Sequence, residues 1–254
     1  PTISARAVIL SMGSNEPVPS LPGSELPGVM LSGDAQEMLN VDGKLPGKRI
    51  VMVGSDNAGL LISANLMDAG AEVVAVVEEG SRLVGRQVNL EPLLARGVQF
   101  LVSTQVLTAS GTGSLELVEL RNAASEVLRL DVDVMCLAGL RIPNMDLERP
   151  EELVLSEQAA LGGLVPVHDK RMSTSATGLY VCGDSSGVES GAAALESGRI
   201  AGLSAAQDLG YQMLHAAGLI SRAARRLGYL RRGRHGSLRS SAKNALAAEH
   251  RKLA

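Results

Sequence analysis

Apolar residues along this chain fall into short runs, each closed by Gly, Pro or charge. Ala7–Leu10 reads as a strand ending in Ser11-Met12-Gly13-Ser14. Pro17, Pro19, Pro22 and Pro27 then impose an extended, turn-rich connection. Gly33–Asn40 fits a short helix, and Pro46-Gly47 marks a turn and a domain boundary. Lys48–Val53 (KRIVMV) predicts a buried strand and Gly54–Gly59 a loop. Leu60–Ala69 predicts a helix with Leu60, Leu61, Ala64 and Leu66 or Met67 inward, stopped by Gly70. Glu72–Val77 is the next strand, closed by Glu78-Glu79. Leu90–Arg96 predicts a second helix ended by Gly97, and Val98–Val102 another strand. Val106–Ala109, Leu115–Arg121 and Val127–Leu130 predict a small antiparallel meander, with Gly111-Thr112-Gly113 at one turn. Val132–Leu137 is a further buried strand. After Pro143, Asn144 and Pro150 come Val165–Val167, Gly178–Cys182 and a long Ala- and Gly-rich helix over Ala192–Leu209. The tail reads as helical in places, broken at Gly218, Gly228, Gly233 and Gly236. No internal repeat of solenoid length is present.

Composition narrows this to an α/β chain. At 254 residues it holds one large domain or two small ones. It is 45% hydrophobic but only 2% aromatic, so the core is Ala, Val, Leu and Ile closing around Gly. Base-stacking nucleic-acid modules need exposed aromatics, so no nucleic acid is expected as a partner. The net charge of −3 is unevenly spread: from Gly210 onward there are ten Lys/Arg against Glu249 alone, leaving 14 basic and 26 acidic residues before it. Such a tail either docks on an acidic partner or surface or forms a solvated helix. Cys136 and Cys182 lie in apolar strands with no CxxC, which predicts buried free thiols and a reducing, cytoplasmic setting. No run is long enough to span a bilayer, and no signal-peptide pattern is present. The chain begins with Pro1 rather than Met, which implies processing or membership of something longer.

Two loops carry the candidate chemistry. In Val51–Leu60 (VMVGSDNAGL), Gly54 and Gly59 fill the first and third places of a GxGxxG dinucleotide loop. The middle place is Asp56, where a diphosphate should come closest. Two like charges a few Å apart in a partly dry site cost roughly several kcal/mol, which weighs against NAD(P) binding. Asp is also a strong N-cap, so Asp56 can simply start the helix, and the two roles are compatible. Glu78 ends the second strand about 20 residues on, where an acid receives adenosine ribose hydroxyls. A charged residue there also serves to mark solvent. The second loop is Thr177–Gly187 (TGLYVCGDSSG), in which a strand ends in Gly183-Asp184 and a helix is expected to open at once. Asp184 can accept hydrogen bonds from sugar hydroxyls, and a helix N-terminus offers N–H groups to phosphate. Gly-Asp is equally a common turn. Of the remaining residues, His168-Asp169 reads as a surface turn. His215, His235 and His250 form no metal-ligand group, and no side chain stands out as acid, base or nucleophile.

These stretches in this order resemble the pyridine nucleotide–disulfide oxidoreductase-like flavoproteins, which carry two dinucleotide-binding domains. The nearest likeness is to the flavin subunits of sarcosine oxidase (alpha), hydrogen cyanide synthase, opine oxidase and dye-linked proline dehydrogenase. Ala7–Gly13 resembles the family's strand that passes the flavin, and Leu26–Val29 its linker. Gly47–Glu79 resembles the inserted NAD domain, and Thr174–Ala206 the closing flavin motif, with Asp184 in the place of the ribityl-binding acid. The resemblance implies FAD held by Gly13, Gly183 and Asp184, and the ADP of NAD held by Gly54, Gly59 and Glu78. Two features depart from the pattern. Nothing before Ala7 supplies the first FAD loop, about 100 residues at usual domain size. The tail also lacks the cysteine cluster of this branch.

The expected architecture is a Rossmann-like NAD domain (48–135) inserted in a partial FAD domain (1–47 and 136–209), followed by a basic tail (210–254). Two functions fit. One is a subunit or fragment of an FAD/NAD(P)-dependent oxidoreductase acting on an amine, an imino acid or NAD(P)H, completed by other subunits. The other is a non-catalytic scaffold subunit that kept the fold and lost cofactor binding.

Overall fold

The computed structural model describes residues 3–139, 141–146 and 150–253, without the side chains of Arg234 and His235. Two compact units divide the chain: residues 16–140, and residues 1–15 together with 141–254. In chain order, β1 (Val8–Leu10) and β2 (Ser14–Asn15) open the second of these.

Residues 16–140 build a three-layer unit. β3 (Val29–Leu31) leads into α1 (Ser32–Asn40), then β4 (Arg49–Val53), α2 (Asn57–Asp68), β5 (Glu72–Glu78), α3 (Gln87–Leu94) and β6 (Gln99–Val102). A meander follows as β7 (Gln105–Ser110), β8 (Leu117–Arg121) and β9 (Val127–Asp131), before β10 (Val134–Leu137) returns to the sheet. The sheet order is β3-β10-β4-β5-β6, all parallel. Parallel strands covered on both faces read as continuous apolar runs, which is why RIVMV and EVVAVVE do not alternate. One face packs Ile50, Met52, Val76 and Cys136 against Leu60, Leu66, Leu90 and Leu93 of α2 and α3. The other packs Val51, Ala75, Val77 and Met135 against Ala109, Val118 and Leu120 of the antiparallel meander.

The α2 helix begins at Asn57, three residues earlier than its apolar pattern predicts, because Asp56 caps it. That start sets which side faces in: Ile62 is buried, whereas Leu61, expected inward, is 51% exposed. Gly70 follows the helix at φ +102, the left-handed geometry that ends helices at glycine.

The rest of the chain completes the other unit. β11 (Ile142–Pro143) pairs with β2, and β12 (Leu155–Gln158) with β13 (Gly163–Pro166). β14 (Leu179–Val181) lies parallel to β1, in register Leu10↔Val181. The helices α4 (Gly191–Asp208), α5 (Ala216–Leu230) and α6 (Arg234–Leu253) follow. No α-helix opens directly after Gly183-Asp184. A 3-10 turn covers Gly183–Ser186, and α4 starts only at Gly191, capped by Ser190. The tail also departs from its glycine pattern: α5 runs through Gly218 and Gly228, and α6 through Gly236. A glycine inside a helix costs about 1 kcal/mol, and packing overrides it. Ala223 and Leu227 of α5 join Tyr180, Ile200 and Ala201, while Ala242 and Leu246 of α6 join Leu161, Val165 and Val167.

Candidate cofactor-binding turns

In the 16–140 unit, the loop between β4 and α2 closes on itself. Gly54 has φ +105, and a Cβ there would run into the Ala138 carbonyl. A Cβ on Gly59 would lie 2.7 Å from the Gly54 carbonyl oxygen. Both glycines are therefore demanded by backbone packing, whatever the loop binds. Asp56 Oδ1 accepts from Gly59 N at 2.8 Å and so takes one of the donors that a pyrophosphate would use. Glu78 is engaged as well: one oxygen accepts from Ser55 N and Oγ, the other from Gly80 N at 2.9 Å. Ser55 is buried and receives Val84 N on its hydroxyl, so Glu78 fastens the loop through it. Gly54, Gly59 and Glu78 do lie around one loop. That loop carries a negative charge at its centre and spends much of its polar capacity internally, a poor fit to a dinucleotide diphosphate.

The other unit builds its turn from distant segments. β1 and β14 end side by side, so Met12-Gly13 and Gly183-Asp184 meet at the carboxyl ends of parallel strands. That is where open α/β sheets receive ligands. Ser185, fully buried, joins the two turns: its Oγ accepts from Met12 N at 2.8 Å and donates to Gly13 O at 3.3 Å. Gly13 has φ +75 and open space where a Cβ would stand. The Asp184 side chain is only 12% exposed. Its Oδ2 accepts from Ser14 Oγ at 3.1 Å and pairs with Arg141 at 2.8 Å; its Oδ1 accepts from Glu189 N at 3.2 Å. An ionised carboxylate has about four acceptor sites, so three bonds leave Oδ1 able to take one hydroxyl. The pair of turns therefore fits one polyol contact at Asp184, beside a backbone that a planar ring can approach at Gly13.

Sequence reasoning singled out Gly13, Gly183 and Asp184 and missed Ser14, Arg141 and Ser185, whose partners lie far along the chain. His168 corrects an expectation. It is not in a surface turn but fully buried, with Lys243 of α6 3.4 Å from its Nε2. Its Nδ1 donates to Pro166 O at 2.7 Å, and burial, together with nearby Lys243, holds its pKa well below the ordinary histidine value. Asp169 is the turn residue there, accepting from Arg171 N and Ser173 N. In the tail, His250 Nε2 lies 3.1 Å from Thr174 O, while the His235 side chain lies outside the described residues. Cys136 and Cys182 are both buried and free, and burial pushes the Cys136 thiol up to about 12.

A parallel, two-faced nucleotide-type sheet, together with a second unit that has strand-end glycine turns, defines a dinucleotide-binding α/β oxidoreductase fold. Residues 1–210 match the family described as pyridine nucleotide-disulphide oxidoreductase, and the chain belongs to it. This is a family of FAD- and NAD(P)-binding flavoprotein oxidoreductases. An opine oxidase subunit of Rhizobium meliloti is 30% identical over 225 residues, covering 82% of this chain and 43% of that protein. The ferredoxin–NAD(+) reductase subunit of the benzene 1,2-dioxygenase system of Pseudomonas putida is 32% identical over 193 residues, covering 72% and 44%. The chain thus spans less than half the length of these curated relatives. Thioredoxin reductase of T. acidophilum shares the fold with a TM-score of 0.69 at 20% identity, over 82% of this chain and 67% of that one.

Proposed function

We propose that this chain is the part of an FAD-dependent oxidoreductase that contributes the Gly13 and Gly183–Asp184 turns to a flavin site. The enzyme would take electrons or hydride from an amine or imino acid, or from NAD(P)H. The observation that carries this reading is the meeting of the two turns at the carboxyl ends of β1 and β14, with an acceptor site left on Asp184. FAD, when bound, supplies the redox chemistry. The chain's own residues bind and orient. Asp184 accepts a hydroxyl of the polyol chain, Gly13 leaves its backbone open to the ring, and Ser185 fixes the spacing between the turns. Ser14 and Arg141 hold the carboxylate in place. Likeness to opine oxidase subunits supports the amine-type substrate and an assembly with further subunits. The exposed Arg222, Arg225 and Arg232 offer a basic surface to such a partner. Likeness to a ferredoxin–NAD(+) reductase subunit supports NAD(P)H as the alternative donor. Gly54, Gly59 and Glu78 would hold its ADP only weakly, with Asp56 as the obstacle. Among the described residues no helix is long and apolar enough to cross a membrane. The two buried free thiols support placing the enzyme in a reducing cytoplasm.

The scaffold reading has an observation of its own: both acids already have internal partners, Asp56 in Gly59 N and Asp184 in Arg141. Colour separates the two. The protein purified in its native particle should absorb at about 450 nm, as flavins do, and Asp184→Ala should lose most of that absorbance. A colourless particle that also takes up no added FAD would sink the flavin reading and leave the scaffold.

A further inference from the structure

We propose that two basic side chains of the tail, Arg231 and Lys243, are positioning residues that hold the 183–189 loop so that Asp184 faces the flavin polyol. This rests on the flavin reading above and adds to it a segment that lies beyond the family match, which ends at residue 210.

The loop is anchored to its own unit, where Gly183 N donates to Ser197 Oγ, Val188 N to Leu161 O, and Ser185 Oγ bonds Met12 N and Gly13 O, and the tail adds two further holds. The loop has a positive-φ glycine near each end, Gly183 at +62 and Gly187 at +130. Its internal bonds are few: Ser186 Oγ donates to Gly183 O, Gly187 N to Asp184 O, and Glu189 N to Asp184 Oδ1. The tail grips it at two points. Lys243 Nζ donates to the Ser186 carbonyl and to Ser186 Oγ, the latter at 2.9 Å. Arg231, at the end of α5, meets Glu189 with both prongs of its fork, Nε to Oε1 at 2.8 Å and Nη2 to Oε2 at 2.7 Å. Those two side chains are 14% and 6% exposed, so this pair is shielded from solvent and salt. Both grips lie on the C-terminal side of Asp184, at Ser186 two residues on and at Glu189 five.

Lys243 is itself held firmly. Ala242 and Leu246 seat α6 on Leu161, Val165 and Val167. His168, with its Nδ1 proton committed to Pro166 O, turns an unprotonated Nε2 toward Lys243 Nζ at 3.4 Å. A buried amine with three polar neighbours, and no carboxylate in contact among the described residues, is poorly explained as a surface ion pair. It is well explained as a donor reaching one backbone carbonyl. Lys243, Arg231 and His168 also line a cavity of about 300 Å³.

The test is amide hydrogen exchange on the protein in its native particle, with FAD affinity of the same particle measured in parallel. Lys243→Met should speed exchange of the 183–189 amides by about tenfold or more, with β14 and the centre of α4 unchanged. FAD should then bind about tenfold more weakly. Arg231→Lys keeps the charge but loses the fork, and should give a smaller loop effect in a fully folded protein. Unchanged loop exchange in both variants, or acceleration spread evenly over β1, β14 and α4, overturns the proposal. Equal FAD affinity despite a loosened loop overturns the positioning claim and leaves the flavin reading standing. No FAD binding by the unaltered protein, with the loop loosened as expected, overturns the flavin reading and supports the tail's hold.

Discussion

The two candidate turns each set an acid beside a glycine, and they are held in opposite ways. At Gly54–Asp56 the acid is satisfied three residues away, by Gly59 N. The glycines are fixed by the Ala138 carbonyl and by the loop itself. At Gly183–Asp184 the acid is held from 170 residues away by Ser14, and by Arg141. Beside it, Gly13 stands in open space. The first turn is a local solution to strand–helix packing. The second is an assembly of remote parts around an acceptor that is not fully used. Glycine-rich loops look alike in sequence, and what separates them is whether the acid's partners are neighbours or strangers along the chain.

Substitutions can break that contrast, and the largest effect belongs to Gly54→Ala. Its Cβ would collide with backbone at a positive φ, which should cost roughly 3 kcal/mol or more, read as a lower urea midpoint. Next, Asp184→Ala takes this carboxylate from a partly buried Arg141 and should cost about 1–3 kcal/mol, less than a fully buried pair because Arg141 is 35% exposed. Asp184→Asn, which keeps the acceptor oxygen, should retain more flavin than Ala does.

A pH titration of stability comes third. Lys243 is lowered from 10.5 to about 7, first by burial and then by Arg231, against the opposing pull of Glu189 and Asp184. The unfolded chain therefore binds this proton more tightly than the folded one between pH 7 and 10.5. Stability from this group rises with pH across that window, by up to about 1.4 kcal/mol per pH unit. Lys243→Met should flatten the rise in urea melts; an unchanged slope would mean that another group causes it.

Asp56→Ala should cost about 1 kcal/mol for the lost cap, seen as a small drop in Tm. Asp56→Gly sharpens the comparison further. If charge repulsion is what blocks the loop, this variant should gain heat on titration with NADH, and no gain would refute that cause. The smallest change is Gly13→Ala, about 1 kcal/mol from its φ alone. It should weaken FAD more than it weakens the fold.

Much of the sheet was legible because buried parallel strands are continuous apolar runs that need no tertiary information. Lys48–Val53, Glu72–Val77 and Val132–Leu137 all became strands within two residues of their expected limits. The errors came where packing competes with local preference. Leu61 and Ile62 exchanged sides because a cap moved the helix start. Gly218, Gly228 and Gly236 failed to break helices because apolar neighbours hold those helices against other elements. β3, β2 and β11 left no readable signal, since two or three residues stay extended only through their partners. The same limit applies to the candidate site. Gly183-Asp184 is visible as a motif, but Arg141, Ser185 and Lys243 belong to no pattern and acquire meaning only once the chain folds back on itself.

The tail helices bear on how this protein should be handled at the bench. Trimming the gene at residue 210, the limit of the family match, would look harmless. It would strip Ala223, Leu227, Ala242 and Leu246 from the faces they cover and uncover Ile200, Leu161 and Val165 to water. An expression product cut at that border should precipitate, even though every recognisable motif would still be in it.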